Sequence, residues 1–541
     1  MRKIFYSSVV IALVCCFSGC DNYLENTEVI NTENLESGFV TEKNADEAIL
    51  SIYPEIKNSN GLNGRNGHVL LDCATADLKI TREGNKVNNY TFLTSKDDES
   101  FDKIWKNYYH VIGRCNTAIE LIPNTAAPDA KKSRYNSEAK VIRSIMYFYL
   151  MMYYQNCPLI LETITPTDRA GMLSPDASRD QIYTAIIADL EEAIANTNFP
   201  WEKDIANNEK GKVGQGTART ILTYIYLTRG WEKNSAADFE KAKTYAKQVI
   251  DLGGYSLEPV LLDAYYKKFS KESIWELVCT NTAEGLGNHC SPWFAPMTTP
   301  PGGDKKYYDG WTKLHSTQKL YDAFEEGDAR RWLLADGEAT SVNKEWAPKF
   351  LGGNKYGGPV LVIDKIKDNE WSLPAYQNAK PVSPSDWYNK FDALTTSTNW
   401  VIYRLSDVYL LYAEACIKTN ASDEARIYIN KVRERARNTW YAHLPKGDVA
   451  IPAHVEGIPA DIATSVSGDA LLAALKQERR VELNAEMKRM LDIRRWSLGG
   501  AKDLENEVKI SGAWAEKYRW YPKPVDQVRL SEGNVVQNAG Y

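Results

Sequence analysis

Histidine is scarce in this chain. The 541 residues hold six, at His68, His110, His289, His315, His443 and His454. They are scattered, with no HExxH or other two-histidine helical spacing, which argues against a metal centre. The chain also lacks a GxSxG elbow, a GxGxxG turn and a phosphate loop ending in Lys-Ser or Lys-Thr. Gly211-Lys212-Val213-Gly214-Gln215-Gly216 is rich in glycine but has no strand before it, and it reads as a loop entering a helix. Apolar runs of the roughly 20 residues needed to span a bilayer are missing. Positive charge is not in excess: 65 Lys and Arg face 71 Asp and Glu, for a formal charge of −6. That balance removes the electrostatic footprint of a nucleic-acid binder. The nine cysteines are sparse and form neither zinc pairs nor a CxxC.

What is present is enough apolar material, 43% of the chain, for one or more cores in two to four domain-sized units, which excludes intrinsic disorder. The 32 tyrosines outnumber the 13 phenylalanines, favouring rings with a polar end. Pairs of carboxylates for glycoside hydrolysis cannot be singled out by proximity among 71 acidic residues. Asp97-Asp98-Glu99 and Glu325-Glu326 read as solvated surface.

The N-terminus reads as an address. Arg2 and Lys3 precede an apolar run from Ile4 to Phe17, then Ser18, Gly19 and Cys20, the pattern of a secretory signal over 1–19. Phe17-Ser18-Gly19-Cys20 resembles the bacterial lipobox, which implies that Cys20 becomes an acylated first residue and a lipid anchor. Cys15 and Cys16 leave with the signal. Cys73, Cys115, Cys157, Cys279, Cys290 and Cys416 read as buried small hydrophobes, with Cys279 and Cys290 the one candidate disulfide.

Helical spacing recurs along the chain. Ile104, Tyr108, Ile112, Cys115 and Ile119 form one stripe, stopped by Pro123. Ala139, Ile142, Ile145, Met146, Tyr149 and Met152 form the next, closed by Pro158, and the two read as a helix hairpin. Further helices are predicted over 182–194, 213–227, 239–252, 405–417, 425–432 and 471–493. Ser422 or Asp423 stands where a cap is needed for the helix after Thr419. Helix pairs of this kind are similar in shape to tetratricopeptide units, without a strict period of about 34 residues. Between 255 and 400 glycines and prolines interrupt short apolar stretches such as Ile274–Val278 and Val360–Ile363, which read as loops and short strands. Two more loop-rich stretches run over 61–98 and 438–468. The expected organisation is a signal at 1–19, a helical region at 20–254 with an insertion near 61–98, an irregular subdomain at 255–400, and a helical region at 401–541. Loops this long carry function when they are ordered.

The densest charge cluster is Glu478-Arg479-Arg480-Val481-Glu482, continuing through Glu486, Arg489, Asp492, Arg494 and Arg495. Glu486, Arg489 and Asp492 are spaced i,i+3, as in a ladder of alternating charges along one helix face that fixes the helix to its neighbours.

The same segment, Gln477 to Leu483 with Glu486, Arg489 and Asp492-Ile493-Arg494-Arg495-Trp496, resembles the ERRxEL and DLRRW signature of the SusD/RagB family of outer-membrane lipoproteins. Arg404 to Ala415 is similar to that family's RxxDVxLxxAEA helix, and Ile429 to Ala436 to its INxVRxRA. Glu138-Ala139-Lys140 with Arg143 and Tyr147-Phe148-Tyr149-Leu150 matches an upstream helix, followed by Cys157-Pro158-Leu159. Asp328-Ala329-Arg330-Arg331 fits a DxRR element and Gln537-Asn538-Ala539-Gly540-Tyr541 the C-terminal QNPGY. Ser144, Asn156 and Ala539 depart from the usual residues. The resemblance implies a mainly α fold of eight helices in four tetratricopeptide-like pairs, with an irregular loop-rich subdomain containing short strands. It also implies a non-enzymatic lipoprotein on the outer membrane, facing the exterior, that captures oligosaccharides and delivers them to a SusC-like TonB-dependent transporter. Neither a cofactor, a metal nor a nucleic-acid partner is expected, on the charge balance and the missing motifs above. A peptide-binding relative and an anchored glycosidase are the alternatives.

The signature residues are scaffold, so ligand contacts are expected in the loops. A sugar presents an apolar face and a rim of hydroxyls, which call for exposed rings beside amide or charged groups. One loop offers Arg82, Asn85, Asn88, Asn89 and Tyr90. A second offers His289, Trp293, Phe294, Tyr307, Tyr308 and Trp311. The expected ligand-binding set is Arg82, Asn85, Asn89, Tyr90, Trp293, Phe294, Tyr307 and Trp311, with core packing as the competing role for any single ring. Trp346, Tyr356, Trp371, Trp387 and Tyr388 are reserves.

Overall fold

The computed structural model describes residues 39–80, 99–280, 287–294, 314–336, 375–380, 397–439, 456–509 and 514–541, apart from 59, 63, 166, 289 and 379. Helices longer than one turn are α1 (Glu42–Leu50), α2 (Ile52–Lys57), α3 (Arg65–Leu71), α4 (Glu99–Leu121), α5 (Asp129–Tyr154), α6 (Arg179–Ala195), α7 (Gln215–Lys233), α8 (Ala236–Leu252), α9 (Leu405–Lys418), α10 (Ser422–Thr439), α11 (Gly468–Glu482), α12 (Arg489–Leu498), α13 (Asp503–Lys509) and α14 (Val525–Leu530). The fold is mainly α, with tetratricopeptide-like helix pairs. No described helix is long and apolar enough to cross a membrane.

Local chemistry sets the boundaries. Pro123 turns the end of α4 into a tight 3-10 turn over Ile122–Asn124. Ser178 and Gln181 form a capping box at the start of α6. Asn234, in the left-handed region at φ 50°, closes α7, and the Ser235 hydroxyl then accepts from the Asp238 N–H at 3.2 Å to start α8. The connection is two residues long, so α7 and α8 pack along each other. Similar pairs are α4 with α5 and α9 with α10, and α5 also packs on α6 and α8 on α9. In α5 every residue from Val141 to Tyr154 is buried, as expected of a helix covered on all sides. Helix α10 begins at Ser422, leaving Ala421 at the cap position. Neither Ser422 nor Asp423 occupies it, and Asp423 pairs with Arg426 instead.

Among the described residues eight short strands accompany the helices: β1 (Leu78–Ile80), β2 (Cys157–Pro158), β3 (Asp176–Ala177), β4 (Ser273–Leu277), β5 (Leu314–Thr317), β6 (Leu334–Asp336), β7 (Ala375–Asn378) and β8 (Trp400–Arg404). They make an antiparallel sheet in the order β1-β5-β7-β6 and the pairs β2-β3 and β4-β8. The stretch 61–98, expected as loop, contains α3 and β1. The apolar run Ile274–Val278 is largely β4, whereas Val360–Ile363 lies outside the described residues. Strand β8 passes without a linker into α9, and the Leu405 N–H donates to the Glu272 carbonyl at 2.9 Å.

The helix expected over 471–493 is interrupted. Helix α11 stops at Glu482 and α12 starts at Arg489, with Ala485 and Met487 both in the left-handed region. The charge ladder along one helix face therefore does not form. Glu478 and Glu482 take Arg330, at 2.5 and 2.9 Å, and Glu482 and Glu486 take Arg404, at 2.7 and 2.8 Å. Arg404 and Arg435 share Glu272, each at 2.8 Å. Arg479 bridges Asp407 and Asp492, at 3.0 and 2.7 Å. All of these side chains are buried. The signature is an ionic core that ties α9 to α12 and the DxRR turn together. A buried charge must find counter-charges to offset its lost hydration, and the break at 483–488 lets Glu482 and Glu486 reach one guanidinium.

Candidate functional site

The four-stranded sheet decides where the loops expected to bind ligand leave the frame. In the β1–β5 pair Leu78 faces Ser316 and Ile80 faces Leu314. The segment after Ile80, which carries Arg82 to Tyr90, thus departs beside the point where the segment carrying Tyr307 and Trp311 enters. In β5–β7 Thr317 faces Ala375, and in β6–β7 Leu334 faces Asn378. Alternation of direction places the exit from Asn378 at the same end as Ile80 and Leu314. The ends of β6 and β7 that bound 337–374 lie at the opposite end. The two loops singled out by composition, together with the segment holding Trp387 and Tyr388, are rooted at one end of one sheet.

The sheet is pinned to the ionic core at both ends, through Asp77 and Thr317 beyond the Leu78–Ser316 pair and through Lys380 at the Ile80–Leu314 end. The Thr317 N–H donates to the Asp77 carbonyl at 2.9 Å, and the Thr317 hydroxyl donates to Ala76. The Ala76 N–H donates to Glu507 at 2.7 Å. The Asp77 carboxylate lies 2.5 Å from Arg480 and 3.5 Å from Arg489. Burial alone would raise the Asp77 carboxyl, but the two guanidiniums outweigh it and hold it below the usual carboxylate range. Lys380, two residues past β7, donates to the Glu482 carbonyl at 2.5 Å and to Glu486 at 3.1 Å. These anchors were missed by sequence reasoning, since an isolated Asp or Lys in a loop carries no pattern.

Two of the expected ligand residues are corrected. Trp293 is 6% exposed and Phe294 fully buried, both within the main core. The Asn288 side chain accepts from the Cys290 and Ser291 N–H groups, at 2.9 and 3.2 Å, and starts the one-turn helix Ser291–Phe294. The Phe294 ring then meets His68 edge-on with centroids 5.2 Å apart, and Trp400 meets the same imidazole at 4.9 Å. His68 is itself held to Asp72, Nδ1 to Oδ2, at 2.8 Å. A ring so enclosed offers no face to a sugar, so core packing is the role of both. Arg82, Asn85, Asn89, Tyr90, Tyr307, Trp311 and Cys20 lie outside the described residues, as do Asn88, His289, Tyr308 and the reserve rings. Cys279 and Cys290 are free thiols, not a disulfide, and all six described cysteines are buried and unbridged. Burial pushes the Cys73 and Cys290 thiols well above their ordinary range. Among the described residues no three His, Cys, Asp or Glu side chains are grouped to hold a metal ion.

The described residues thus form a frame whose signature charges are consumed by internal pairs. Residues 343–541 match the SusD family, and residues 22–216 match a SusD-like family described as starch-binding, associating with outer membrane. The chain belongs to the SusD family. A SusD-like protein of Formosa agariphila is 25% identical over the full length of both chains. Among solved structures, a SusD homologue of Bacteroides thetaiotaomicron aligns with a TM-score of 0.73 at 18% identity, covering 94% of this chain and 99% of its own. A surface glycan-binding protein A of the same organism, in complex with laminarihexaose, aligns at 0.69 and 18%, covering 92% and 100%. In SusD terms, the segments that carry the family resemblance form the buried ionic core.

Proposed function

We propose that this SusD-family chain is a non-catalytic, lipid-anchored glycan-binding protein that captures an oligosaccharide at the Ile80–Leu314 end of its sheet. The observation that carries the reading is the register of β1 on β5, which roots the two ring-and-amide loops side by side. Tyr90, Tyr307 and Trp311 supply platforms for sugar faces, and Arg82, Asn85 and Asn89 supply hydrogen-bonding groups for the hydroxyl rim. Stacking adds about 0.5–1.5 kcal/mol per ring beyond burial, which sets a modest affinity for a short glycan. Modest affinity suits a protein that releases its ligand to a SusC-like TonB-dependent transporter. Cys20 carries the lipid that holds the chain to the outer membrane, facing the exterior.

Laminarihexaose is the first ligand to test, since a structural neighbour holds it. Calorimetry of the mature chain against laminarihexaose and a panel of other oligosaccharides checks the reading. Binding to one of them, lost in Tyr90→Ala and Trp311→Ala, is the expected result. A chain that binds no glycan but takes peptides, or that hydrolyses a bound glycan on long incubation, replaces it with one of the two alternatives.

A further inference from the structure

The chain from Ser256 to Lys271 is closed on itself. The Ser256 N–H donates to the Lys271 carbonyl at 3.0 Å, and the Lys271 N–H donates to the Glu258 carboxylate at 2.9 Å. Inside it Leu261, Leu262, Ala264 and Tyr265 form a small apolar core of their own. A loop tied across in this way is ordered before any ligand arrives, which lowers the entropic cost of binding. Against it lies an open groove of about 500 Å³, within the size of small-ligand sites.

The charges of this groove do not cancel. Lys267 lies 2.7 Å from Asp263 and 3.7 Å from Glu258, and with Lys268 and Lys271 the lining carries three cations against these two carboxylates. Lys268 donates only to a backbone carbonyl, that of Cys279, at 2.9 Å. Among the described residues Lys268, Lys271 and the neighbouring Lys210 have no carboxylate within ion-pair distance. Lys57 stands close to Lys268 and donates to the Val278 carbonyl at 2.7 Å. Burial pulls its ammonium below the ordinary lysine range; Cys279 opposes this, and the Lys268 charge adds a smaller lowering. The locality is electropositive on a chain whose net charge is negative.

Two further features point to a ligand. Phe269, half-buried in the groove wall, is held in the left-handed region at φ 54° by its N–H bond to Glu276 at 2.9 Å, with the Lys210 ammonium 5.6 Å from its ring centroid. Strain of this kind persists only where the surroundings enforce it, and it gathers at binding sites. Ser270 lines the same groove and is 8% exposed, and its hydroxyl is buried without a hydrogen-bond partner. Buried hydroxyls are ordinarily satisfied.

We propose that this groove is a second saccharide subsite, selective for an acidic sugar unit whose carboxylate or sulfate ester pairs with Lys268 and Lys271 while its ring lies on Phe269 and a hydroxyl reaches Ser270. The choice of a saccharide rests on the glycan-capture reading above; the preference for an anion rests on the lysines alone.

Calorimetry of the mature chain with a galacturonate tetramer, a neutral glucose tetramer and inorganic sulfate tests it. The galacturonate tetramer binds, its affinity drops at least about tenfold in Lys268→Ala/Lys271→Ala and on raising salt, and it is retained in Trp311→Ala. The double variant keeps its melting temperature. Absence of galacturonate binding, or binding that ignores the two lysines, overturns the proposal. Sulfate binding without galacturonate binding overturns the saccharide assignment. Loss of neutral-glycan binding from the unaltered chain, with galacturonate binding kept, supports this subsite and counts against loop-end capture only.

Discussion

Arg404 and Glu482 meet at 2.7 Å with neither side chain more than 1% exposed. They stand 78 residues apart in the chain, and around them gather Glu272, Glu486, Arg330 and Arg435. Taking so many charges out of water is costly, and the arrangement is stable because each guanidinium has more than one carboxylate oxygen.

Removing one member should expose that cost. Glu482→Ala leaves Arg330, Arg404 and Arg435 short of a counter-charge, and a loss of about 3–5 kcal/mol in urea unfolding is expected. The surface pair of Glu516 with Arg519, whose carboxylate is 71% exposed, serves as the contrast: Glu516→Ala should change stability by less than about 1 kcal/mol.

Stability should depend on pH through the same cluster. Burial would raise the Glu486 carboxyl, but Arg404 and Lys380 hold it down to about 2, and Arg435, Arg404 and Arg330 drive Glu482 down likewise. Between the unfolded value of about 4.3 and these native values the unfolded chain binds more protons, so this contribution is present above about pH 5 and is lost on acidification. Lys380 acts on the alkaline side. Burial lowers its ammonium to about 8, with Glu486 and Glu482 opposing. The unfolded lysine keeps its proton to about 10.4, so this group adds stability as pH rises from about 8 towards that value. Urea midpoints across pH should lose part of the acid slope in Glu486→Gln and the alkaline rise in Lys380→Met. Unchanged slopes would detach these groups from the transition.

Rings in the core and rings in the loops should separate in one experiment. Trp293→Ala and Phe294→Ala each empty a packed site and should cost about 3–5 kcal/mol. Tyr90→Ala and Trp311→Ala should weaken glycan binding while the melting temperature stays put. Equal destabilisation by all four substitutions would make the loop rings structural.

Thiol counting checks the unbridged cysteines. In mature protein acylated at Cys20, Cys73, Cys115, Cys157, Cys279, Cys290 and Cys416 should all react with a thiol reagent after unfolding under non-reducing conditions, and none rapidly before it. A shortfall of two would reveal a disulfide.

Much of the frame was legible because its causes are local. The stripe from Ile104 to Ile119 and the stop at Pro123 anticipate α4 to within a turn, and the same spacing anticipates α5 to α10. The one-residue offset at Ser422 falls at a boundary, where several positions compete for the cap. The break at 483–488 was not legible, because helical spacing continues through it and Ala485 and Met487 carry no turn signal. Its cause lies elsewhere: Asp72 accepts the Met487 N–H at 3.1 Å, and Tyr265 donates to Glu486 at 2.7 Å.

The site divides the same way. Composition singled out the segments around Tyr90 and Trp311, which lie outside the described residues, since clustered rings, amides and glycines are a property of the segment. It could not separate Trp293 and Phe294 from them, because their fate depends on His68 and Trp400, far away in the chain. By itself the sequence determined the family signature, the helical pairs and the expected N-terminal lipid address, all of which depend on neighbours within a few turns. Only the tertiary structure decided that Ile80 lies opposite Leu314, that Glu482 faces Arg404, and which rings are enclosed. Pairing of strands and neutralisation of buried charge are satisfied by whichever partner the completed fold brings near, and no local pattern names that partner.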